Sequence, residues 1–200
     1  MKTLILAAIR RSLMFTAVAT LFVQPAQAFT ITLEQMGANV VATGSGAINL
    51  TGLTLETTGQ DFVALMQAST GLIETAGNGD VYGGFTGPTS FGNGGSFAPN
   101  TSSGDFAGID GAGGNLGVPA GYVSNTALSD SMTFNSATFA SLGVTPGTYV
   151  WTWGTGLPNQ NFKLVIGSVG GPGVPDGGWT VSLLGCALVG LAALRRKLLC

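Results

Sequence analysis

Between Phe29 and Gly173 the chain has no cysteine, no histidine and one base, Lys163. Whatever folds there must close on apolar burial and backbone pairing. It has no disulfide framework to lean on, even where the compartment would permit one. The acids of the same stretch are Glu34, Glu56, Asp61, Glu74, Asp80, Asp105, Asp110 and Asp130; against Lys163 they leave it at net −7. A surface so acidic has nothing to meet phosphate, so nucleic acid is excluded as a partner. Without His or Cys there is no Ser-His-Asp or Cys-His arrangement and no thiolate or imidazole zinc site. Carboxylate-only chemistry of the glycan hydrolase kind stays open. The eight acids are scattered, however, and show no pairing in one dimension. No catalytic residue, metal or cofactor is expected.

The remaining bases sit at the two ends. Lys2, Arg10 and Arg11 precede an apolar run from Leu13 to Val23, followed by Pro25-Ala26-Gln27-Ala28. A positive region, a short apolar region and an Ala-x-Ala site are the parts of a secretory signal peptide. The expected cut follows Ala28, with Ala26 and Ala28 as the recognition pair. A run of about a dozen residues is short for an uncleaved anchor, which needs roughly 20. At the other end, Trp179 to Leu194 is apolar and Arg195, Arg196 and Lys197 close it. As a helix this run is about 24 Å long, against about 30 Å of hydrocarbon. Snorkelling of the three bases makes up part of the mismatch. The positive-inside tendency puts them in the cytoplasm and the body outside.

The expected organisation is therefore a signal peptide over 1–28, an exported body over 29–166, a Gly-rich linker over 167–173 and a tail over 174–200 with a transmembrane helix at 179–194. The body reads as all-β. Phe29 to Leu33 alternates apolar residues with Thr, the period of a half-buried strand. Asn39 to Thr43 and Ala47 to Thr51 are further candidates around a turn at Gly44-Ser45-Gly46, and Leu53 to Leu55 continues after Gly52. Asp61 to Ala68 fits helix or strand; its flanking Gly and Thr favour strand. Fifteen of the 45 residues from Gly77 to Gly121 are glycine. Glycine loses the most entropy on ordering and buries no side chain, so long loops are expected there. Short strands are expected at Val81-Tyr82, Phe85 and Phe106 to Ile109. Order returns over Val118 to Ser124, with Met132 to Phe134 as a strand and Ser136 to Leu142 as one or two helical turns ended by Gly143.

Thr148 to Trp153 puts Tyr149, Trp151 and Trp153 on one face, and Phe162 to Ile166 alternates in the same way. The pair reads as a closing antiparallel hairpin whose aromatic face covers a core. These strands together suggest a small antiparallel β-sandwich with long Gly-rich loops. The same three aromatics could instead stack on sugar rings, as could the loop rings Tyr82, Phe85, Phe91, Phe97 and Phe106; core packing is the favoured reading of both sets. Gly92-Asn93-Gly94-Gly95 is no phosphate loop, since no Gly-Lys-Ser/Thr follows. Asp110 to Asn115 lacks the spaced acidic ligands of a calcium loop.

The tail carries a resemblance. Val174-Pro175-Asp176-Gly177-Gly178, then Val181-Ser182-Leu183-Leu184-Gly185 and Leu191-Ala192-Ala193-Leu194-Arg195-Arg196-Lys197-Leu198, resemble the C-terminal sorting signal of the PEP-CTERM group in its VPDSG-CTERM branch. Gly177 stands where the branch's name has Ser. In the body, Val40 to Gly46, Asn49 to Leu53, Gly121 to Ser124 and Pro146 to Gly154 look like segments of exported bodies that carry such tails. The resemblance implies export by the secretion machinery, then a membrane-held precursor. An exosortase would cut the tail and release the body to the cell surface or an extracellular polysaccharide matrix. The expected role is that of a non-enzymatic envelope or matrix protein. The alternative is a polysaccharide-binding module using Tyr149, Trp151 and Trp153.

Overall fold

The computed structural model describes residues 27–167. The signal peptide up to Ala26, the sorting motif Val174 to Gly178, the expected helix 179–194 and the basic cluster Arg195, Arg196 and Lys197 lie outside the described residues. The expected linker does too, save Gly167. Thirteen strands are described. They are β1 (Thr30–Met36), β2 (Asn39–Ala47), β3 (Thr54–Phe62), β4 (Leu65–Gln67), β5 (Leu72–Glu74), β6 (Gly77–Gly83) and β7 (Ser96–Phe97). Then come β8 (Thr101–Gly104), β9 (Gly108–Asp110), β10 (Asn115–Pro119), β11 (Ala127–Phe134), β12 (Gly147–Thr152) and β13 (Asn161–Ile166). One short helix, α1 (Phe139–Leu142), lies between β11 and β12. The strands form a six-stranded sheet in the order β12-β13-β1-β2-β11-β8 and a seven-stranded sheet in the order β3-β6-β10-β9-β5-β4-β7.

This two-sheet arrangement fits the expected sandwich. Alternation puts Ile31 and Leu33 of β1, Val40 and Ala42 of β2, Met132 of β11 and Leu164 of β13 on the inner face of the first sheet. Met66, Ile73, Ile109, Leu116 and Val118 from the second sheet complete the same buried cluster. Each of these side chains other than Ala42 contributes about 1.5–3 kcal/mol when fully buried.

Several expectations change against this architecture. The sandwich is not wholly antiparallel, because β1 runs parallel to β13, with Thr30 opposite Lys163 and Leu33 opposite Ile166. Gly44-Ser45-Gly46 is not a turn but the continuation of β2, paired with both β1 and β11. A Cβ on Gly44 would meet the Asp130 carboxyl and the Phe29 ring, so glycine is what lets the strand pass beneath them. Ala47 to Thr51 is not a separate strand. Its backbone N–H groups from Ile48 to Leu50 go instead to Tyr122 Oη at 3.1 Å, the Asn159 carbonyl at 2.9 Å and Ser124 Oγ at 2.9 Å. Asp61 to Ala68 forms the end of β3, then β4, then a 3₁₀ turn at Ala68–Thr70, which is mostly the strand reading.

The Gly77–Gly121 stretch departs most from expectation. It supplies five strands, β6 to β10, and leaves one long loop over 84–95. Phe85 and Phe106 lie outside strands. Farther on, α1 matches the expected helical turn. Thr138 caps it by accepting from the Ser141 N–H at 3.1 Å, and Gly143 ends it at φ +62°, a conformation that glycine adopts without penalty.

Candidate functional site

The aromatic row of β12 goes inward. Trp151 is fully buried and Trp153 nearly so, while Tyr149 is half-buried against the core. Both indoles are committed: Trp151 Nε1 donates to the Pro88 carbonyl at 2.7 Å and Trp153 Nε1 to the Asn49 carbonyl at 2.7 Å. Trp151 also meets Phe162 edge-on at 6.0 Å. A stacking platform needs exposed ring faces, which neither tryptophan offers. The loop rings behave alike. Phe91 and Phe106 are buried, and Tyr82, Phe85 and Phe97 pack partly buried against the core.

A cavity that gathers acidic groups lies on the outer face of the seven-stranded sheet. Ile73, Ile109 and Leu116 point into the core, so by alternation Leu72, Glu74, Gly108, Asp110 and Gly117 point the other way. Register aligns them: Glu74 is opposite Gly108, Leu72 is opposite Asp110, and Gly117 is opposite Gly108 on its other side. Phe106, from the segment before β9, folds back over this face and stacks on Phe62 at 4.6 Å with the planes 12° apart. Gly79 of β6 and Gly117 of β10 form its bed. A Cβ on Gly117 would lie 2.6 Å from the Phe106 ring, and one on Gly79 would strike the same ring. Gly108 clears room for Glu74 in the same way.

Between the ring pair and the Leu72–Glu74 edge lies a cavity of about 160 Å³. Phe62, Phe106, Leu72 and Val81 supply its apolar lining, and Glu74, Asp110 and Asn115 its polar groups. Asp110 Oδ1 already accepts the Gly113 N–H at 2.9 Å. Burial, and then the Asp110 carboxylate, push the Glu74 carboxyl up to about 7. The Glu74 carboxyl therefore keeps its proton well above the usual carboxylate range. Among the described residues no three His, Cys, Asp or Glu side chains converge as a metal site would require, and no helix is long and apolar enough to cross a membrane.

Sequence reasoning had both acids in view and missed the pairing, since 36 positions and three strands separate them. Only the order β10-β9-β5 makes them neighbours. Of the predicted signal-cleavage residues, Ala28 is described. It forms an isolated parallel bridge with Ala47, and the Gln27 carbonyl accepts the Ala47 N–H at 2.7 Å.

A family model, the VPDSG-CTERM motif, matches residues 173–198. It is a C-terminal sorting signal of the PEP-CTERM type, and it implies an exported protein that reaches the cell surface and has an exosortase-processed C-terminus. The match covers the tail and leaves the body unassigned. No curated protein and no solved structure matches the chain.

Proposed function

We propose, from the sorting signal at residues 173–198, that the chain is made as a precursor held in the inner membrane by its C-terminal apolar segment. An exosortase then removes that segment. The freed sandwich serves at the cell surface or in the extracellular matrix as a non-enzymatic component. The sorting signal is the observation that carries this reading, and the body is built to survive the cut. Its last strand, β13, lies between β12 and β1 and ends at Ile166, and the Gly167 N–H donates to the Leu33 carbonyl at 3.1 Å. Cleavage at Val174 or beyond removes none of the described strands. The seven residues from Gly167 to Gly173 span at most about 25 Å when extended, which gives a membrane enzyme access to the motif beside a folded body.

Signal cleavage after Ala28 would make Phe29 the first residue of the mature protein. Phe29 is fully buried, and its N–H donates to the Ala47 carbonyl at 3.0 Å. In the folded body that bond lies against β2, so cleavage there would precede closure of the sheet. A non-enzymatic role agrees with a body lacking His and Cys. The second reading, a polysaccharide-binding module, draws on the outer-face cavity in place of the buried tryptophans.

The test is mass spectrometry of the cell-surface protein. Peptides should begin at Phe29, and none should include the segment from Trp179 to Lys197. A chain truncated before Val174 should lose surface retention. An intact tail on the surface form would refute the processing step.

A further inference from the structure

We infer that the outer-face cavity of the seven-stranded sheet is a binding site for a single neutral sugar ring. The lining has the mixed character that a pyranose requires. A pyranose has an apolar C–H face, which the half-buried Phe62 and Leu72 can meet. It also has a rim of hydroxyls, each both donor and acceptor. The Asn115 amide offers both functions, a protonated Glu74 offers both, and Asp110 retains an oxygen beyond the one taken by Gly113.

Size selects the ligand further. Pockets for drug-sized molecules run to about 300–1,000 Å³, whereas this one is about 160 Å³, or about five waters at roughly 30 Å³ each. That accommodates one ring.

The surroundings of Glu74 set the sign of the pH response. Asp110 on β9 is the charged group that bears on it. Leu65 of β4 and Gly108 of β9 flank it across the sheet, and Phe62 and Phe106 border the same space. A neutral ring prefers the protonated Glu74, with its extra donor. An ammonium ligand would prefer the ionised form, and its binding would strengthen as pH rises.

This site deepens the polysaccharide-binding reading and is independent of tail processing, so either can fail alone. The test is saturation-transfer NMR on the mature exported protein with D-glucose, D-galactose, D-mannose and L-rhamnose, each at millimolar concentration. Methylammonium is titrated separately. At least one sugar should take up saturation at its ring protons, with affinity falling about tenfold from pH 6 to pH 8 as a carboxyl of pKa about 7 ionises. Glu74→Gln, which keeps a donor and an acceptor at every pH, should bind with no such fall. Leu72→Trp, which fills the cavity, should abolish binding while near-ultraviolet circular dichroism reports the fold. Three results would each overturn the proposal: no saturation of any sugar in the wild type, binding unchanged in Leu72→Trp, or tightening with pH together with methylammonium binding. Release of reducing sugar from a disaccharide would replace it with an enzymatic reading.

Discussion

Replacing Asp130 with Asn should flatten the pH dependence of stability. Asp130 points from β11 into the space between the sheets. It is 6% exposed, and Oδ2 has no hydrogen-bond partner among the described residues. Burial pushes its carboxyl up from 3.8 to about 7, with the Gly44 backbone N–H opposing the rise and Asp105 adding to it. At about 1.36 kcal/mol per pH unit, that rise has a ceiling of about 4 kcal/mol. The sign follows from proton counts. Below pH 3.8 both states hold the proton and the contribution is complete. Between there and about 7 the unfolded chain releases it while the folded one keeps it, so stability declines as pH rises. Above about 7 the loss is complete. An amide cannot ionise, so Asp130→Asn removes this decline, and its uncompensated N–H group costs about 1–3 kcal/mol at every pH. The variant should be equal to or less stable than wild type at pH 4. It should gain on wild type by about 2–4 kcal/mol on going to pH 8. Urea unfolding of the mature protein measures this, with the buried Trp151 and Trp153 as fluorescent reporters. Glu74, whose carboxyl is also raised, contributes to both proteins and cancels in the comparison. Parallel pH profiles for the two proteins would refute the reasoning.

Trp151→Phe should cost about 2–4 kcal/mol in the same assay, from a smaller ring in a closed site and an orphaned Pro88 carbonyl; a loss below about 0.5 kcal/mol would contradict the assigned core role. Gly117→Ala should cost about 1–3 kcal/mol by lifting Phe106 off its bed, whereas Gly95→Ala, with open space around it, should stay within about 0.5 kcal/mol. Equal effects of the two glycine changes would remove the argument for a shaped outer face. N-terminal sequencing of the exported protein should begin at Phe29, and a start at Met1 would overturn the assigned cleavage.

What could be read linearly was local. The hairpin of β12 and β13 showed in its alternation, because the face that enters a core repeats every second residue. The turn of α1 showed in its Gly143 stop, and its Thr138 cap only in the structure. The strand character of Asp61 to Ala68 showed in its flanks. Glycine misled in two places, and for one reason. In a strand interior it marks where a neighbour comes close, and that neighbour is distant in sequence: Asp130 and Phe29 over Gly44, Phe106 over Gly79 and Gly117. The parallel pairing of β1 with β13 was hidden because it joins the two ends of the body.

The sequence by itself determined that the chain carries a C-terminal sorting signal and that its body has no His or Cys side chain to work with. A sorting signal is a contiguous string of residues, and an absent residue type is absent from any fold. It also determined that the body is built of strands, since alternation is a property of neighbours along the chain. Tertiary structure alone decided which aromatics are buried and which acids meet. Glu74 and Asp110 face one cavity because β5 and β9 pair, and Trp151 is core because the loop over 84–95 crosses β12 and its Pro88 carbonyl accepts the indole N–H. Burial and proximity depend on what packs across the space between strands, and no local pattern in the chain encodes that partner.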